Sequence, residues 1–291
     1  MKPAPFRYVA AESLESALAL KAEHGDDARF LAGGQSLIPA MNFRLAQPAV
    51  VLDINPLREL DFVRAAGGGL RIGALTRNRT LERDALVAQR QPLVREAVPH
   101  VAHPPIRNRG TLGGNLAHAD PASELPALML ALGARLRAQS ARGERWIEAR
   151  DFFRGVFTTA LRADELLAEV ELPELPPRTG TCFMEVARRR GDYAMMGVAA
   201  VVTLGEADRC THARLAYCNA GATPVSAASA AQALVGSPVG EGQIHDAAAI
   251  AQREIDPHGN VHASKAFQRH LAGVLTRRAL RTAVDRAKAG G

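Results

Sequence analysis

Apolar and polar positions change period along this chain, and each change predicts an element. Residues 13–24 place Leu14, Ala17, Leu18 and Leu20 near one face of a helix, with Ser13 as its N-cap and Gly25 as its stop. Residues 29–32 read as a short strand running straight into Gly33 and Gly34. Residues 49–54 are continuously apolar, the pattern of a strand covered on both faces, and Pro56 ends the run. From Leu60 the period drops to two, and 61–64 with 70–73 predict a hairpin around the glycines at 67–69. Helices are predicted at 92–101 and 123–132, the second with Leu125, Leu128, Met129 and Leu132 on one side and Gly133 at its end. Residues 135–147 alternate around a turn at 141–143.

The stretch Leu172-Pro-Glu-Leu-Pro-Pro-Arg178 is extended, polar and proline-stiffened, so a domain boundary is expected there. Beyond it, strands are predicted at 182–187, 197–204 and 213–219, then helices at 224–234, 245–254 and 264–288.

Composition narrows the field. With 291 residues, 47% of them hydrophobic, the chain can bury one large core or two modest ones, which excludes a disordered tail or a disulfide-stapled miniprotein. No stretch approaches the roughly 18 apolar residues of a membrane-spanning helix, and the N-terminus lacks the apolar run of a secretory signal. A cytoplasmic protein with no membrane span is expected. Cys182, Cys210 and Cys218 include no Cys-x-x-Cys pair, so neither a disulfide framework nor a four-thiolate cluster cage is expected.

The net charge of +6 comes almost wholly from arginine, the lysines being Lys2, Lys21, Lys265 and Lys288. Nucleic-acid binding is thereby raised, but arginines alternate with acids and only 4% of residues are aromatic. A solvated arginine-rich surface and no nucleic-acid partner are expected. No nucleophile–base pair stands out, so no catalytic residue is assigned. His258 and His262 are four apart, yet Gly259 between them argues for an exposed turn rather than a metal site.

Candidate chemistry concentrates in two glycine segments. Leu31-Ala-Gly-Gly-Gln-Ser36 lies between a strand and a helical start, where backbone amides can approach an anion with no Cβ in the way. It is neither a P-loop nor a Gly-x-Gly-x-x-Gly turn, and a plain strand-to-helix turn explains it equally well. The segment from Ile106 to Glu124 is richer, with Gly113-Gly114, the hydroxyl of Thr111, the amides of Asn108 and Asn115, and the acids Asp120 and Glu124. Amides suit pyrophosphate oxygens, and carboxylates accept from sugar hydroxyls. A side chain at Gly113 or Gly114 is expected to fill the pyrophosphate's space.

These segments, with Ile72-Gly-Ala-Leu-Thr76 between them and Ala187-Arg-Arg-Arg-Gly-Asp-Tyr-Ala194 beyond, resemble the FAD-binding medium subunit of the molybdenum hydroxylases, the family of carbon monoxide and xanthine dehydrogenases. The resemblance runs essentially end to end. It implies an α+β fold: a two-subdomain FAD-binding domain of the vanillyl-alcohol-oxidase or PCMH-like kind, then a smaller α+β C-terminal domain. The divisions would be 1–175, split into about 1–57 and 58–175, and 176–291.

Carried over by position, Ala32, Gly33, Gly34, Gln35 and Ser36, running on into Leu37 and Ile38, resemble one FAD-clasping loop. Gly110, Thr111, Gly113, Gly114 and Asn115 resemble the other, with Thr76 nearby. His118 and Asp120 would neighbour the ribityl and phosphate groups, Glu124 would contact the polyol, and Leu161 would pack near the flavin or adenine. Tyr193 would stand over one face of the isoalloxazine, and Asp192 and Arg188 would form interface ion pairs. No metal ligand is implied in this chain.

On this resemblance FAD is the chain's only cofactor. The molybdopterin cofactor, where substrate is oxidised, belongs to a large partner subunit, and two [2Fe-2S] clusters in a small subunit pass electrons to the FAD and so to an external acceptor. A dimer of heterotrimers is expected. Met184 stands where xanthine dehydrogenases have a lysine, which puts NAD chemistry in doubt. The alternative is a self-sufficient FAD oxidase of the vanillyl-alcohol-oxidase type, disfavoured by a short C-terminal part with no evident substrate acid or base.

Overall fold

The computed structural model describes residues 2–290. A parallel sheet opens the chain, in the order β1 (Arg7–Ala10), β3 (Val50–Asp53), β2 (Ala28–Leu31). The apolar run predicted at 49–54 is the central strand, with Val50, Val51 and Leu52 all buried, because a parallel sheet needs cover on both faces. Helix α1 (Leu14–His24) joins β1 to β2 and begins in a capping box: Ser13 and Ser16 each accept the other's N–H at 3.1 Å. After β2 the chain turns at Gly34, with φ +73°, into the short helix α2 (Leu37–Asn42).

The next unit is an antiparallel sheet. Its strands are β4 (Val63–Ala66), β5 (Gly69–Gly73), β6 (Arg135–Ser140), β7 (Gly143–Glu148) and, after the small hairpin β8 (Phe153–Gly155) and β9 (Thr158–Thr159), β10 (Leu166–Leu172). The spatial order is β4-β5-β10-β6-β7. Between β5 and β6 run α3 (Asn78–Arg83), α4 (Ala85–Arg90), α5 (Pro92–Ala97), α6 (Pro104–Arg107), α7 (Leu112–His118) and α8 (Glu124–Leu132), which bury one sheet face. A single turn, α9 (Ala149–Phe152), follows β7. The opposite face carries an ion-pair ladder: Arg71 and Arg137 on Glu169, Arg135 on Glu171. Trp146 lies under the guanidiniums of Arg71 and Arg135 at 5.6 and 5.2 Å.

Past residue 178 comes a third sheet, antiparallel in chain order: β11 (Thr179–Ala187), β12 (Ala194–Leu204), β13 (Cys210–Cys218) and β14 (Val225–Ser226). One face packs on α11 (Glu241–Glu254) and α12 (Lys265–Ala289), after the single turn α10 (Ala228–Gln232). Met196, Val198, Ala200 and Val202 of β12 point that way, while Ala199 and Val201 join the core around α8. Helix α8 is therefore held between the second and third sheets. All its residues but Leu130 are buried, so the one-sided apolar stripe expected at 123–132 is an all-round burial.

Two predicted helices change bounds. The one expected at 224–234 shrinks to α10, because Val225 pairs with Tyr217 as a strand. The one expected at 245 begins at Glu241, where Gly240 donates its N–H to the Gln243 side chain at 3.2 Å. The helices at 78–90, unassigned in the sequence, start the second of their pair from Asp84, which accepts from the N–H groups of Leu86 and Val87.

The close approach of α12 to β11 depends on Gly180. A Cβ there would run into the Ala283 carbonyl and sit 2.5 Å from the Ala287 nitrogen. Gly180→Ala is expected to lose about 1–3 kcal/mol or more of stability through overpacking, read as a lower urea midpoint. An unchanged midpoint would mean that α12 yields freely. Among the described residues no helix is long and apolar enough to cross a membrane.

Candidate functional site

The two glycine segments meet. Gly33, just beyond the end of β2, faces the backbone of Arg109 and Gly110: a Cβ on Gly33 would collide with the Arg109 carbonyl and lie 2.8 Å from the Gly110 Cα. Only a glycine permits two backbones to pass this closely. Among the described residues, the N–H groups of Gly33, Gly34, Gln35 and Ser36 find no acceptor within the chain. Gln35 folds back to donate its side-chain amide to the Gly33 carbonyl at 2.9 Å. Ser36 sits at the N-cap position of α2 without a side-chain cap bond, so its hydroxyl is uncommitted. Leu37 opens α2, and Ile38 packs toward Gly34 while remaining partly exposed. Ala32 packs on the core beneath β2.

The second segment is a capped helix start rather than a loop. Thr111 is the N-cap of α7 and accepts the Gly114 N–H at 3.0 Å. Leu112 donates to the Thr76 carbonyl and Gly113 to the Ala74 carbonyl, so the segment is sewn to the end of β5. This corrects two expectations. Thr76 is fully buried, and its hydroxyl donates to the Phe62 carbonyl at 2.9 Å, so it anchors α7 rather than facing a ligand. Gly113 lies against Ala74, whose carbonyl oxygen is 2.8 Å from where a Cβ would be, so a side chain there meets protein and not pyrophosphate space. A Cβ on Gly114 would likewise meet protein, lying 2.7 Å from Oγ1 of its own cap Thr111 and 3.8 Å from the Ala32 side chain of the first segment.

A clamp invisible in the sequence holds the segments in register. Asn55, following β3, donates its side-chain amide to the Ala32 carbonyl at 2.8 Å and accepts from Arg77 at 2.6 Å; Arg77 also donates to the Arg109 carbonyl at 2.6 Å. No pattern marks Asn55 or Arg77, because their partners lie 22 or more residues away. Arg109 also adds positive charge beside the junction.

The remaining expected residues extend from this junction along α7 to the third sheet. Asn115 accepts from the Ser123 hydroxyl at 2.9 Å. His118 lies against Phe157 with ring centres 4.9 Å apart, and burial holds its imidazole below the usual range. Asp120 accepts from the Ala122 N–H at 2.9 Å. Leu161 packs on the main core beyond β9. Tyr193 is 63% exposed; partial burial of its hydroxyl end and the Asp120 carboxylate push the phenol up to about 12. Glu124, by contrast, is only 4% exposed, and burial pushes its carboxyl up to about 8. Asp192 pairs with Arg188 and Arg189 of its own turn at 3.5 and 3.1 Å, so these pairs are local. His258 and His262 lie in an exposed stretch with no regular structure.

Two family models cover this architecture: the FAD binding domain in molybdopterin dehydrogenase matches residues 4–175, and the CO dehydrogenase flavoprotein C-terminal domain matches 181–283. The chain belongs to the FAD-binding flavoprotein subunits of the molybdenum hydroxylases. This flavoprotein is 42% identical to the 6-hydroxypseudooxynicotine dehydrogenase complex subunit alpha of Paenarthrobacter nicotinovorans, over 99% of this chain and 97% of that one. It is likewise 42% identical to the caffeine dehydrogenase subunit beta of Pseudomonas sp. strain CBB1, over 98% and 97%. Its fold superimposes on a carbon monoxide dehydrogenase from Hydrogenophaga pseudoflava with a TM-score of 0.96 at 35% identity, covering 98% of this chain and 99% of that one.

The donor set of the flavoprotein fits its cofactor. Four uncommitted amides in succession, an open serine hydroxyl and a glycine on the facing helix start make a cradle for a diphosphate bridge. Acid and imidazole groups line the way from there to an exposed tyrosine, as a polyol arm and a ring system require.

Proposed function

We propose that the flavoprotein holds FAD with its diphosphate between residues 32–36 and the start of α7, its ribityl arm along His118 and Asp120, and its isoalloxazine beside Tyr193. The observation that carries this reading is the contact of Gly33 with the Arg109–Gly110 backbone, which joins two segments 77 positions apart into one amide-lined cleft. Bound FAD supplies the electron chemistry, taking electrons from iron–sulfur clusters of a small partner and releasing them to an external acceptor.

This chain's residues bind and orient. Amides of the first segment hold the diphosphate, and Thr111 caps α7 and fixes its start beside them. Asn55 and Arg77 keep the cleft from opening. Tyr193 covers one ring face and limits access to it, which needs no proton-abstracting side chain. Substrate oxidation belongs to the molybdopterin cofactor of a large partner, in a dimer of heterotrimers within the cytoplasm. Relatives named for 6-hydroxypseudooxynicotine, caffeine and carbon monoxide share this subunit's fold or sequence, so substrate choice lies in the large subunit. With the division placed at 175/176, the diphosphate cradle would lie in one part and Tyr193 in the other.

Reconstitution tests it: the isolated chain should take up one FAD and turn over no small substrate alone. A chain that stays colourless in excess FAD rejects the reading, and substrate turnover without partners favours a self-sufficient oxidase. Tyr193→Ala is expected to retain FAD but change the flavin absorption envelope and the rate with artificial acceptors. Unchanged spectrum and kinetics would remove Tyr193 from the ring face.

A further inference from the structure

The Tyr193 side chain is mostly exposed, so its place depends more on the backbone that carries it than on packing around the ring. That backbone is a turn between β11 and β12 in which Arg188, Arg189 and Arg190 are all exposed. Gly191, with φ +86°, rests on the α5–α6 connection: a Cβ there would strike the His103 imidazole and lie 3.0 Å from the Ala102 carbonyl oxygen. Past Tyr193, Ala194 begins β12. Strand β13 stops pairing with it at Cys218, opposite Gly197, so that ladder ends short of Ala194 and Met195. Two side-chain amides continue where it stops. Asn219 donates to the Ala194 carbonyl at 2.7 Å and to the Met195 carbonyl at 3.3 Å. Gln268 of α12, 1% exposed, donates to the carbonyls of Met195 at 3.0 Å and Asn219 at 3.3 Å, and accepts the Gly259 N–H at 2.9 Å.

Asn219 also reaches the helices of the second sheet. Its backbone N–H donates to the Pro121 carbonyl at 2.7 Å. Pro121 follows Asp120 in the α7–α8 connection, a tight turn in which the Asp120 carboxylate accepts the Ala122 N–H at 2.9 Å and its carbonyl the Ser123 N–H at 3.0 Å. One residue is therefore bonded both to the neighbour of Asp120 and to the neighbour of Tyr193. It does so at φ +55°, in the left-handed region that asparagine enters more readily than most residues with a side chain. Such a conformation costs energy and persists where the surroundings impose it.

We infer that Asn219 is a positioning residue for the flavin: it sets Tyr193 at its distance from Asp120, and so fixes how closely the phenol ring covers the isoalloxazine and how far an acceptor can approach. The inference rests on the FAD reading above and deepens it. Asn219 acts through backbone carbonyls. Without its side-chain amide the start of β12 loses its 2.7 Å bond, and the exposed Tyr193 moves off the ring face.

The test uses the FAD-loaded chain as wild type, Asn219→Gly, Asn219→Asp, Tyr193→Phe and the double variant Asn219→Gly/Tyr193→Phe, with bound FAD and urea midpoint measured for each. Asn219→Gly keeps the left-handed backbone and removes the amide; Asn219→Asp keeps the shape and turns an acceptor toward the carbonyls. A tyrosine against the isoalloxazine quenches flavin fluorescence by electron transfer, and a phenylalanine does not. Bound-flavin fluorescence and the rate of reoxidation by an artificial quinone should both rise severalfold in the two Asn219 variants. Fluorescence should rise in Tyr193→Phe as well, and Asn219→Gly should add nothing further to it in that background. Wild-type fluorescence and reoxidation in both Asn219 variants would overturn the inference. So would an equal fluorescence gain from Asn219→Gly with and without Tyr193, the mark of general loosening, and so would loss of FAD from both variants, which would make position 219 a retention site. A wild type that takes up no FAD, or a Tyr193→Phe variant with unchanged fluorescence, fails the FAD reading or its Tyr193 assignment first, and the inference falls with it.

Discussion

Gly33→Ala should abolish retention of FAD through gel filtration, where wild type keeps it in stoichiometric amount. The added carbon would strike the Arg109 carbonyl and sit 2.8 Å from the Gly110 Cα, and neither atom belongs to a flexible side chain. One backbone must retreat. Either movement strains the bond from Arg77 to the Arg109 carbonyl or that from Asn55 to the Ala32 carbonyl, so the clamp loosens with the cleft. The cost to folding should be about 1–3 kcal/mol, as for other overpacked sites, while the loss of affinity should exceed it because every amide donor to the diphosphate shifts together. Gly113→Ala gives the contrast: it should destabilise by pressing on Ala74 and weaken FAD only as far as α7 is displaced. Stoichiometric FAD in purified Gly33→Ala would show that the junction of the two segments is not the diphosphate site.

Raising the pH from about 4.5 to about 8 should cost the native state on the order of 4–5 kcal/mol through Glu124 alone. The sign follows from burial. In the unfolded chain this carboxyl ionises near its ordinary 4.5; buried in the native state, it holds its proton to about 8. Between these values the native state binds more protons, so its stability is fully present below the lower value and is lost as pH rises through the upper one. His100, raised by Glu185, acts in the same direction. Asp53, Glu82 and Glu165, held low by hydrogen bonds and nearby arginines, act at the acid end instead and lose their contribution as pH falls below the ordinary carboxylate range. Urea midpoints measured from pH 5.5 to 8.5 should therefore fall in wild type and stay nearly level in Glu124→Gln, which becomes the more stable protein at the alkaline end. Parallel curves for the two proteins would show that Glu124 carries an ordinary carboxylate.

Much of the architecture was legible because its causes are local. Ser13 and Gly25 bound α1, the glycines after Ala66 turn β4 into β5, and the unbroken apolar run at 49–54 is the middle strand of a parallel sheet. Misreadings arose where local signals were weak or outvoted. Ala-rich residues 224–234 fit a helix by propensity, but pairing of Val225 with Tyr217 claims the first part for a strand. Residues 112–118 carry two glycines, which argue for a loop, yet the Thr111 cap and bonds to Ala74 and Thr76 make them helical.

The sequence alone determined which residues could do chemistry: two glycine segments, a set of acids and histidines after the second, and a tyrosine in an arginine-rich turn. Composition and spacing suffice for that, because donors, acceptors and backbone freedom are properties of single residues. Only the tertiary structure decided which of them meet. It turned Gly113 and Thr76 inward, brought Gly33 against Gly110, recruited Asn55 and Arg77, and buried Glu124 at the start of α8. Those outcomes depend on packing between segments tens of residues apart, where burial and facing charges, set by no local pattern, fix what a side chain can touch and whether it keeps its proton.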